Sequence, residues 1–339
     1  MIRLSLLVDD TLDLALEPEL YPLAQRWIPH GLAEPGSSRA RAAITVRASS
    51  GPLQRPSHRP TLVLGRAAAW LFTRSSPLHD VVLTPCPPLH YVERGDEEDS
   101  RPGGVVLRGG LCSSGGELNL ATYQAHLYVD PSETHAAAAD LYSLLTISAG
   151  LLLAGLERAL VHAAAIVHPA GGAWLLAGDA RAGKSTTCAT LVAGGWGYLS
   201  DDQVVLAAQH DGVQAHGWLR PFHLDASPGV RTEIPPAEVG LESWRRTAPL
   251  AGVIFPVVEP TEPTRLESVT AGWALAGLVR QSPWLLATPR QTAPGALRLL
   301  ERAVAGGAFR LSLGLDTYRA ADRLAACLEA LETRVRAPC

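Results

Sequence analysis

The chain has 339 residues, of which 47% are hydrophobic and 18% charged, and its formal net charge is −4. This composition indicates a globular protein with a sizeable core in one large or two ordinary domains. The slight acidity argues against a nucleic-acid-binding protein, which usually carries a basic excess. Five widely spaced cysteines, without a CxxC pattern, favour neither a disulfide framework nor a zinc site and indicate a reducing cytoplasm.

Residues 1–130 are predicted to form a smaller, β-rich accessory domain that carries no catalytic motif. Short strands are predicted over Ala43–Ala48 and Thr61–Leu64, and a longer strand over Leu118–Val129. The start of the chain lacks the basic and apolar regions of a signal peptide. The function is therefore expected to reside in the rest of the chain.

Residues 131–339 have the alternating pattern of an α/β domain. Ala136–Leu160 is rich in helix formers, and its most apolar part, Leu141–Leu156, is shorter than the ~20 residues that span a bilayer. We expect a buried helix there and no membrane association. A strand over His162–His168 and a turn at Pro169–Gly172 follow.

Further strands and helices are predicted after this turn. In chain order they are the strand Ala173–Ala177, the helix Ser185–Ala193, the strands Tyr198–Ala208 and Pro249–Val258, the helices Val269–Gln281 and Ala293–Val304, and the strand Phe309–Leu313. The last segment, Tyr318–Val335, is amphipathic, and its apolar stripe is expected to pack in the core. That stripe consists of Leu324, Cys327, Leu328, Leu331 and Val335.

A phosphate-binding loop is predicted where the buried strand meets the next helix. Gly178–Ser185 matches the pattern GxxxxGK[ST], in which backbone N–H groups and the helix start hold phosphate oxygens. Lys184, the only lysine of the chain, would reach the β and γ oxygens, and Ser185 would bind Mg²⁺. The residues expected to contact the nucleotide are Gly178, Ala180, Arg181, Ala182, Gly183, Lys184, Ser185 and Thr186. The alternative is a glycine-rich structural turn.

Two charged residues stand inside this loop where small residues are common. Phosphates would repel Asp179 unless its side chain points outward, and Arg181 either reaches a phosphate or is solvated. We expect both side chains to be solvated.

An acidic pair, Asp201-Asp202, follows Lys184 by 17 residues on the predicted strand Tyr198–Ala208. Two acids within an apolar strand cost desolvation energy unless a cation or a donor meets them, and a Mg²⁺-nucleotide would supply the cation. Neighbouring side chains of a strand point to opposite faces, so one carboxylate would face the metal and the other could act as a general base. The alternative is a solvated surface turn.

One histidine, His162, begins the strand that precedes the glycine loop. A lone histidine is often structural, so the residue pattern alone leaves its role open.

Five segments in this order resemble the kinase domain of HPr kinase/phosphorylase and its relatives, including HPr-kinase-like proteins linked to lasso-peptide biosynthesis. The segments are Val161–Val167, Trp174–Gly178, Gly183–Thr186, Leu199–Val204 and Arg220–Leu224. The resemblance covers about 135–335 and implies a phosphoenolpyruvate-carboxykinase/HPr-kinase-like P-loop domain with a mixed sheet. It also implies ATP and Mg²⁺ as cofactors, with Ser185 and Asp202 at the metal.

The resemblance further implies catalytic roles for Asp201, Asp202, His162 and Lys184. The chain departs from the family at Ala180 and Arg181, where Ser and Gly are usual. It lacks the glycine-rich segment of the bifunctional enzymes, so phosphorolysis is not expected. Residues 1–130 do not resemble the N-terminal domain of HPr kinases, which argues against HPr as substrate.

The sequence therefore predicts an ATP-dependent kinase that transfers the γ-phosphoryl group to a serine-type hydroxyl of a peptide, a protein or a small metabolite. Peptide natural-product biosynthesis is one setting that fits. The alternative is a non-catalytic nucleotide-binding regulator or an NTPase subunit. A homo-oligomer is compatible with the sequence, which leaves the oligomeric state and the acceptor open.

Overall fold

The structure, a computed structural model, divides the chain into two compact units. Unit 1 comprises Met1–Arg158 with Pro283–Ala296, and unit 2 comprises Ala159–Ser282 with Leu297–Cys339. The residues that the structure describes are 1–7, 11–24, 34–35, 40–49, 62–64, 67–72, 81–82, 90–91, 104–108, 113–132, 134–218, 222–227, 230–234, 244–259, 263–287, 293–319 and 324–328.

Unit 1 is built on a mixed sheet. Its strands are β1 (Ile2–Ser5), β2 (Leu12–Leu16), β3 (Glu34–Pro35), β4 (Ala42–Ala48), β5 (Leu62–Leu64), β6 (Ala67–Phe72), β7 (Val81–Val82), β8 (His90–Tyr91), β9 (Gly104–Arg108), β10 (Gly115–Asn119) and β11 (Gln124–Val129). The sheet order is β3-β1-β2-β4-β11-β10-β9-β6-β5, while β7 and β8 pair separately. Strand β4 runs parallel to β2 and β11, and the other recorded pairs are antiparallel.

The predicted single strand over Leu118–Val129 is wrong, because the chain turns back within it. Asn119 accepts hydrogen bonds through Oδ1 from the N–H groups of Ala121 (2.9 Å) and Thr122 (3.2 Å). Such a side-chain bond closes a turn in place of a ladder bond. The segment is therefore a hairpin of β10 and β11, and the predicted strands over Ala43–Ala48 and Thr61–Leu64 are confirmed to within a residue.

The short helices Pro18–Leu20 (3₁₀) and α1 (Tyr21–Ala24) and the long helix α2 (Thr134–Gly155) complete the chain up to Arg158. Helix α2 is long and apolar enough to cross a membrane, but 83% of its most apolar stretch is buried inside the protein. The prediction of a buried helix is confirmed. It is the core helix of unit 1, although the sequence had grouped it with the residues after 131.

Unit 2 contains the second mixed sheet. Its strands are β12 (Arg158–Val161), β13 (Ala163–Val167), β14 (Ala173–Ala177), β15 (Gly197–Ser200), β16 (Val204–Gln209), β17 (Gly212–Gly217), β18 (Phe222–Ser227), β19 (Val230–Ile234), β20 (Thr247–Val258), β21 (Arg265–Ser268) and β22 (Ala308–Leu313). The order is β12-β16-β17-β20-β14-β13-β15, with β22 pairing β20 and β21, and β18 and β19 forming a separate hairpin. Strand β20 runs parallel to β14 and β22.

Helices alternate with these strands in the described residues after β14. They are α3 (Lys184–Ala193), α4 (Ala271–Arg280), α5 (Pro283–Ala287), α6 (Ala293–Ala305) and α7 (Leu315–Arg319). The predicted helices over Ser185–Ala193, Val269–Gln281 and Ala293–Val304 are confirmed to within two residues. Residues 324–328 are also helical, with Leu324 and Leu328 in the core, while Leu331 and Val335 lie outside the described residues.

Strand β14 and helix α3 position the glycine loop. All five residues of β14 are buried, as expected for a strand covered on both faces. Cys188, Leu191 and Val192 lie three and four residues apart on one face of α3, and all are buried in the core of unit 2. The loop is therefore held between a buried strand and a packed helix.

The predicted strand over Tyr198–Ala208 is wrong in one respect, because it breaks at the acidic pair. Ser200 Oγ donates to the carbonyl oxygens of Gln203 (2.6 Å) and Trp218 (2.7 Å). Strand β15 before the break pairs β13, whereas β16 after it pairs β17. Asp201 and Asp202 consequently lie in a bend between two strands that have different neighbours.

The two units are of similar size. The boundary between them falls after Arg158, and Pro283–Ala296 returns to unit 1. The predicted division into an accessory domain 1–130 and a kinase domain 131–339 concerns function, and it stays a prediction.

Candidate functional site

The glycine loop begins directly after β14 and ends at the first residue of α3. Gly183 has φ 97° and ψ 8°, a left-handed conformation that glycine adopts without a Cβ penalty. Gly183 is the N-cap residue of α3 and has no side chain with which to cap the first turn. Helix N–H groups without a capping side chain are suited to an anionic ligand. Ser185 and Thr186 lie in this turn and are half-buried.

Lys184 is held over the start of the loop. Its Nζ atom donates to the carbonyl oxygens of Gly178 (2.7 Å) and Asp179 (3.0 Å), and only 8% of the residue is exposed. The ammonium group therefore lies inside the loop. This is the position that a phosphate-binding lysine requires.

Arg181 adopts an unusual backbone conformation in the middle of the loop. Its φ is +66°, in the left-handed region that costs a non-glycine residue roughly 1–2 kcal/mol. Glycine would adopt this φ without strain. Arg181 is exposed, in agreement with its expected solvation, and Ala180 beside it is exposed as well.

The two aspartates occupy different environments. Asp201 is 3% exposed, whereas the Asp202 side chain is 21% exposed. Burial, and secondarily the charge of Asp201, raise the pKa of the Cys188 thiol on α3 well above its usual range. Asp201 thus lies near α3, and Cys188 stays a protonated, unreactive thiol.

His162 lies between β12 and β13 and contacts the second aspartate. Its Nε2 atom is 3.4 Å from Asp202 Oδ1. The break between β12 and β13 thus faces the break between β15 and β16. The structure brings together His162 and Asp202, which are 40 residues apart in the chain.

Gln281, which the sequence analysis did not select, joins these residues to the glycine loop. Its Nε2 donates to Asp179 Oδ1 (3.1 Å), and its Oε1 lies 3.1 Å from His162 Nδ1. Asp179 is exposed, in agreement with its expected solvation, and its carboxylate in addition accepts a bond from a buried amide. A glutamine at the end of an apolar helix has no sequence motif that would have pointed to it.

The two carboxylates at this site are too few to hold a metal ion alone, but they suit an ion that is also bound by phosphates of a substrate. Among the residues that the structure describes, no three His, Cys, Asp or Glu side chains form a cluster that would hold an ion. Mg²⁺ is usually bound through one or two carboxylates together with phosphates of the substrate. The downstream segment Arg220-Pro221, part of the resemblance, lies outside the described residues.

Comparisons with known proteins give limited information. No protein-family model matches the chain, and no curated protein matches it. Among solved structures, the chain is similar to the Hpr(Ser) kinase/phosphatase from Coxiella burnetii, with 12% identity and a TM-score of 0.31, over 52% of this chain and 97% of that chain. A similarity of this size assigns neither a substrate nor an activity. The chemistry of the site has to be argued from its own residues.

Proposed function

We propose that the chain is an ATP-dependent kinase with an HPr-kinase-like P-loop fold in unit 2. It transfers the γ-phosphoryl group to a serine-type hydroxyl of a peptide, a protein or a small metabolite. One observation carries the proposal: Gln281 makes hydrogen bonds to Asp179, in the loop that holds Lys184, and to His162, whose Nε2 lies 3.4 Å from Asp202 Oδ1. A structural turn would need no such connection.

The residues present fit a magnesium nucleotide. The N-cap residue of α3 is a glycine without a capping side chain, and the ammonium of Lys184 lies against the carbonyl oxygen of Gly178 in the loop. These features supply N–H donors and positive charge for phosphates, and the hydroxyl of Ser185 and the carboxylate of Asp202 supply oxygens that Mg²⁺ prefers. When bound, Mg²⁺ would neutralise charge on the phosphates.

The two carboxylates suit different tasks. Asp202 is the more exposed of the two, so an ion or substrate reaches it without displacing packed side chains. We assign Asp202 to the metal with Ser185, and the buried Asp201 to the acid–base side of the reaction. Phosphoryl transfer needs positioning and charge neutralisation more than covalent chemistry, and this small set of groups is sufficient.

The proposal is tested with ATP labelled in the γ-phosphate, Mg²⁺ and an array of serine-containing peptides and free hydroxy-amino acids. We expect label on an acceptor hydroxyl. Asp201→Asn should lower transfer by about 10²–10⁴-fold, the usual contribution of an acid–base group, while ATP still binds. Asp202→Asn should also lower transfer, because it removes a carboxylate oxygen from the magnesium site. Asp211→Asn is the matched control, because the Asp211 side chain is 92% exposed and contacts His210.

Two results would point elsewhere. Tight ATP binding without transfer to any acceptor would favour a nucleotide-binding regulator. Release of free phosphate that does not depend on the acceptor and persists in Asp201→Asn would favour an NTPase.

A further inference from the structure

We propose that Gln281 is a positioning residue that fixes the proton arrangement of His162 and ties it to the phosphate loop through Asp179. The catalytic consequence of this role rests on the proposed function. The geometric part of it does not.

Gln281 contacts His162 twice. The His162 backbone N–H donates to the Gln281 carbonyl oxygen (2.8 Å), and the imidazole Nδ1 lies 3.1 Å from the Gln281 side-chain oxygen. The first bond fixes the position of the His162 backbone at the end of α4, and the second fixes the rotation of the imidazole ring. Together they orient Nε2 towards Asp202.

The amide itself has little freedom to move. Gln281 follows the last residue of α4, and its own N–H donates to the carbonyl oxygens of Gly277 (3.3 Å) and Leu278 (3.1 Å). Only 6% of the residue is exposed. A buried amide at a fixed helix end can hold its partners to within a few tenths of an ångström.

The direction of each hydrogen bond follows from the chemistry of the groups. An ionised carboxylate only accepts, so the NH₂ group of Gln281 must face Asp179. The amide oxygen, which also only accepts, must then face His162, and Nδ1 must carry a hydrogen. The carboxylate of Asp179 therefore sets the orientation of the Gln281 amide, and that orientation requires a hydrogen on Nδ1 of His162.

This arrangement couples the phosphate loop to the acidic pair. A movement of Asp179 on phosphate binding would alter its hydrogen bond to the Gln281 amide. The change would pass through the amide to the His162 ring, because the same amide holds Nδ1. Loss of Gln281 should leave the nucleotide affinity nearly intact and lower the transfer rate, because the amide contacts the loop side chain and not its backbone cradle. Partners of this kind typically contribute about 10- to 100-fold.

The first test replaces the hydrogen-bond donor that Gln281 presents to Asp179 by an acceptor, and then exchanges the two roles in a double variant. Gln281→Glu keeps an oxygen towards His162 but sets two carboxylates against each other, and we expect kcat to fall about 10- to 100-fold with little change in the KM for ATP. In the double variant Asp179→Asn/Gln281→Glu, the new amide donates to the new carboxylate at the same net charge, and most of the loss should be recovered. The matched control is Gln209→Glu, at the exposed end of β16, which should behave as the wild type.

The second test reads the histidine without any turnover. In protein labelled with ¹⁵N-histidine, the His162 signals are identified among the 11 histidines by their loss in His162→Ala. We expect Nδ1 to bear hydrogen in the wild type and to lose this preference in Gln281→Met, which keeps the side-chain length but neither donor nor acceptor. Thermal unfolding of the same samples shows whether they are folded.

The outcomes separate the two proposals. Nδ1 without hydrogen in the wild type, or an unchanged tautomer in folded Gln281→Met, would overturn the role of Gln281. Failure of the double variant to recover activity would overturn the link to Asp179. A wild type that transfers no phosphoryl group but has the expected Nδ1 hydrogen would refute the kinase and leave the positioning role standing.

Discussion

Arg181 carries backbone strain that can be measured at the scale of a single residue. Its φ of +66° is strained for any residue with a Cβ. Both Arg181→Ala and Arg181→Gly remove the charge, but only the glycine relieves the backbone. We expect Arg181→Gly to have a free energy of unfolding about 1 kcal/mol higher than Arg181→Ala, measured by urea denaturation. Glycine also gives the unfolded chain more backbone entropy, which lowers the stability of Arg181→Gly. The measured difference between the two variants is therefore a minimum estimate of the strain.

The same pair of variants separates charge from strain in nucleotide binding. If the guanidinium contacts a phosphate, both variants should weaken ATP binding equally. Strain at this position would be contradicted if Arg181→Gly were less stable than Arg181→Ala by about 0.4–1 kcal/mol, the difference that backbone entropy alone gives.

Single residues also mark what the sequence could and could not reveal about the site. Lys184, Ser185 and the acidic pair were predictable, because their chemistry depends on local spacing within one motif. Gln281 and the role of Asp179 were not, because they depend on a contact between residues 102 positions apart. A neutral amide becomes recognisable as part of a site only when the fold supplies its two partners.

Helix α4 carries Gln281, and its packing sets where that amide lies. A Cβ added to Gly277 would lie 2.6 Å from the ring of Phe255, which is itself 5% exposed and packed edge-on to Trp273. We expect Gly277→Ala to lower the free energy of unfolding by about 1–3 kcal/mol, the usual cost of overpacking.

Gly272 offers a matched control in the same helix. A Cβ there would have no neighbour within 4 Å. Gly272→Ala should therefore be neutral or should stabilise the protein by up to about 1 kcal/mol through helix propensity. If both variants behave alike, the close packing of α4 against Phe255 is wrong.

At the scale of elements, the prediction failed where a strand changes its neighbours. The apolar run Tyr198–Ala208 has the composition of one strand, and nothing in it distinguishes pairing with β13 from pairing with β17. The break depends on Ser200, whose hydroxyl bonds to the carbonyl oxygens of Gln203 and Trp218. The second of these partners lies 18 residues away, beyond the reach of local pattern. The buried strand β14 and the helix α3, whose signals are local, were predicted to within a residue.

For the whole molecule, the presence of one lysine in 339 residues makes an unusually direct experiment available. Protein labelled with ¹⁵N-lysine should give one backbone amide signal, from the residue that both ends the glycine loop and begins α3. Its identity is checked by loss of the signal in Lys184→Arg. The signal reports on the phosphate site without altering it.

The central claim is that this loop binds the phosphates of a nucleotide. We predict that the Lys184 amide signal shifts in a saturable way when ATP and Mg²⁺ are added. AMP, which lacks the β- and γ-phosphates, should leave it unmoved at equal concentration. A signal that stays in place with millimolar ATP and Mg²⁺, in protein shown to be folded, would contradict the account.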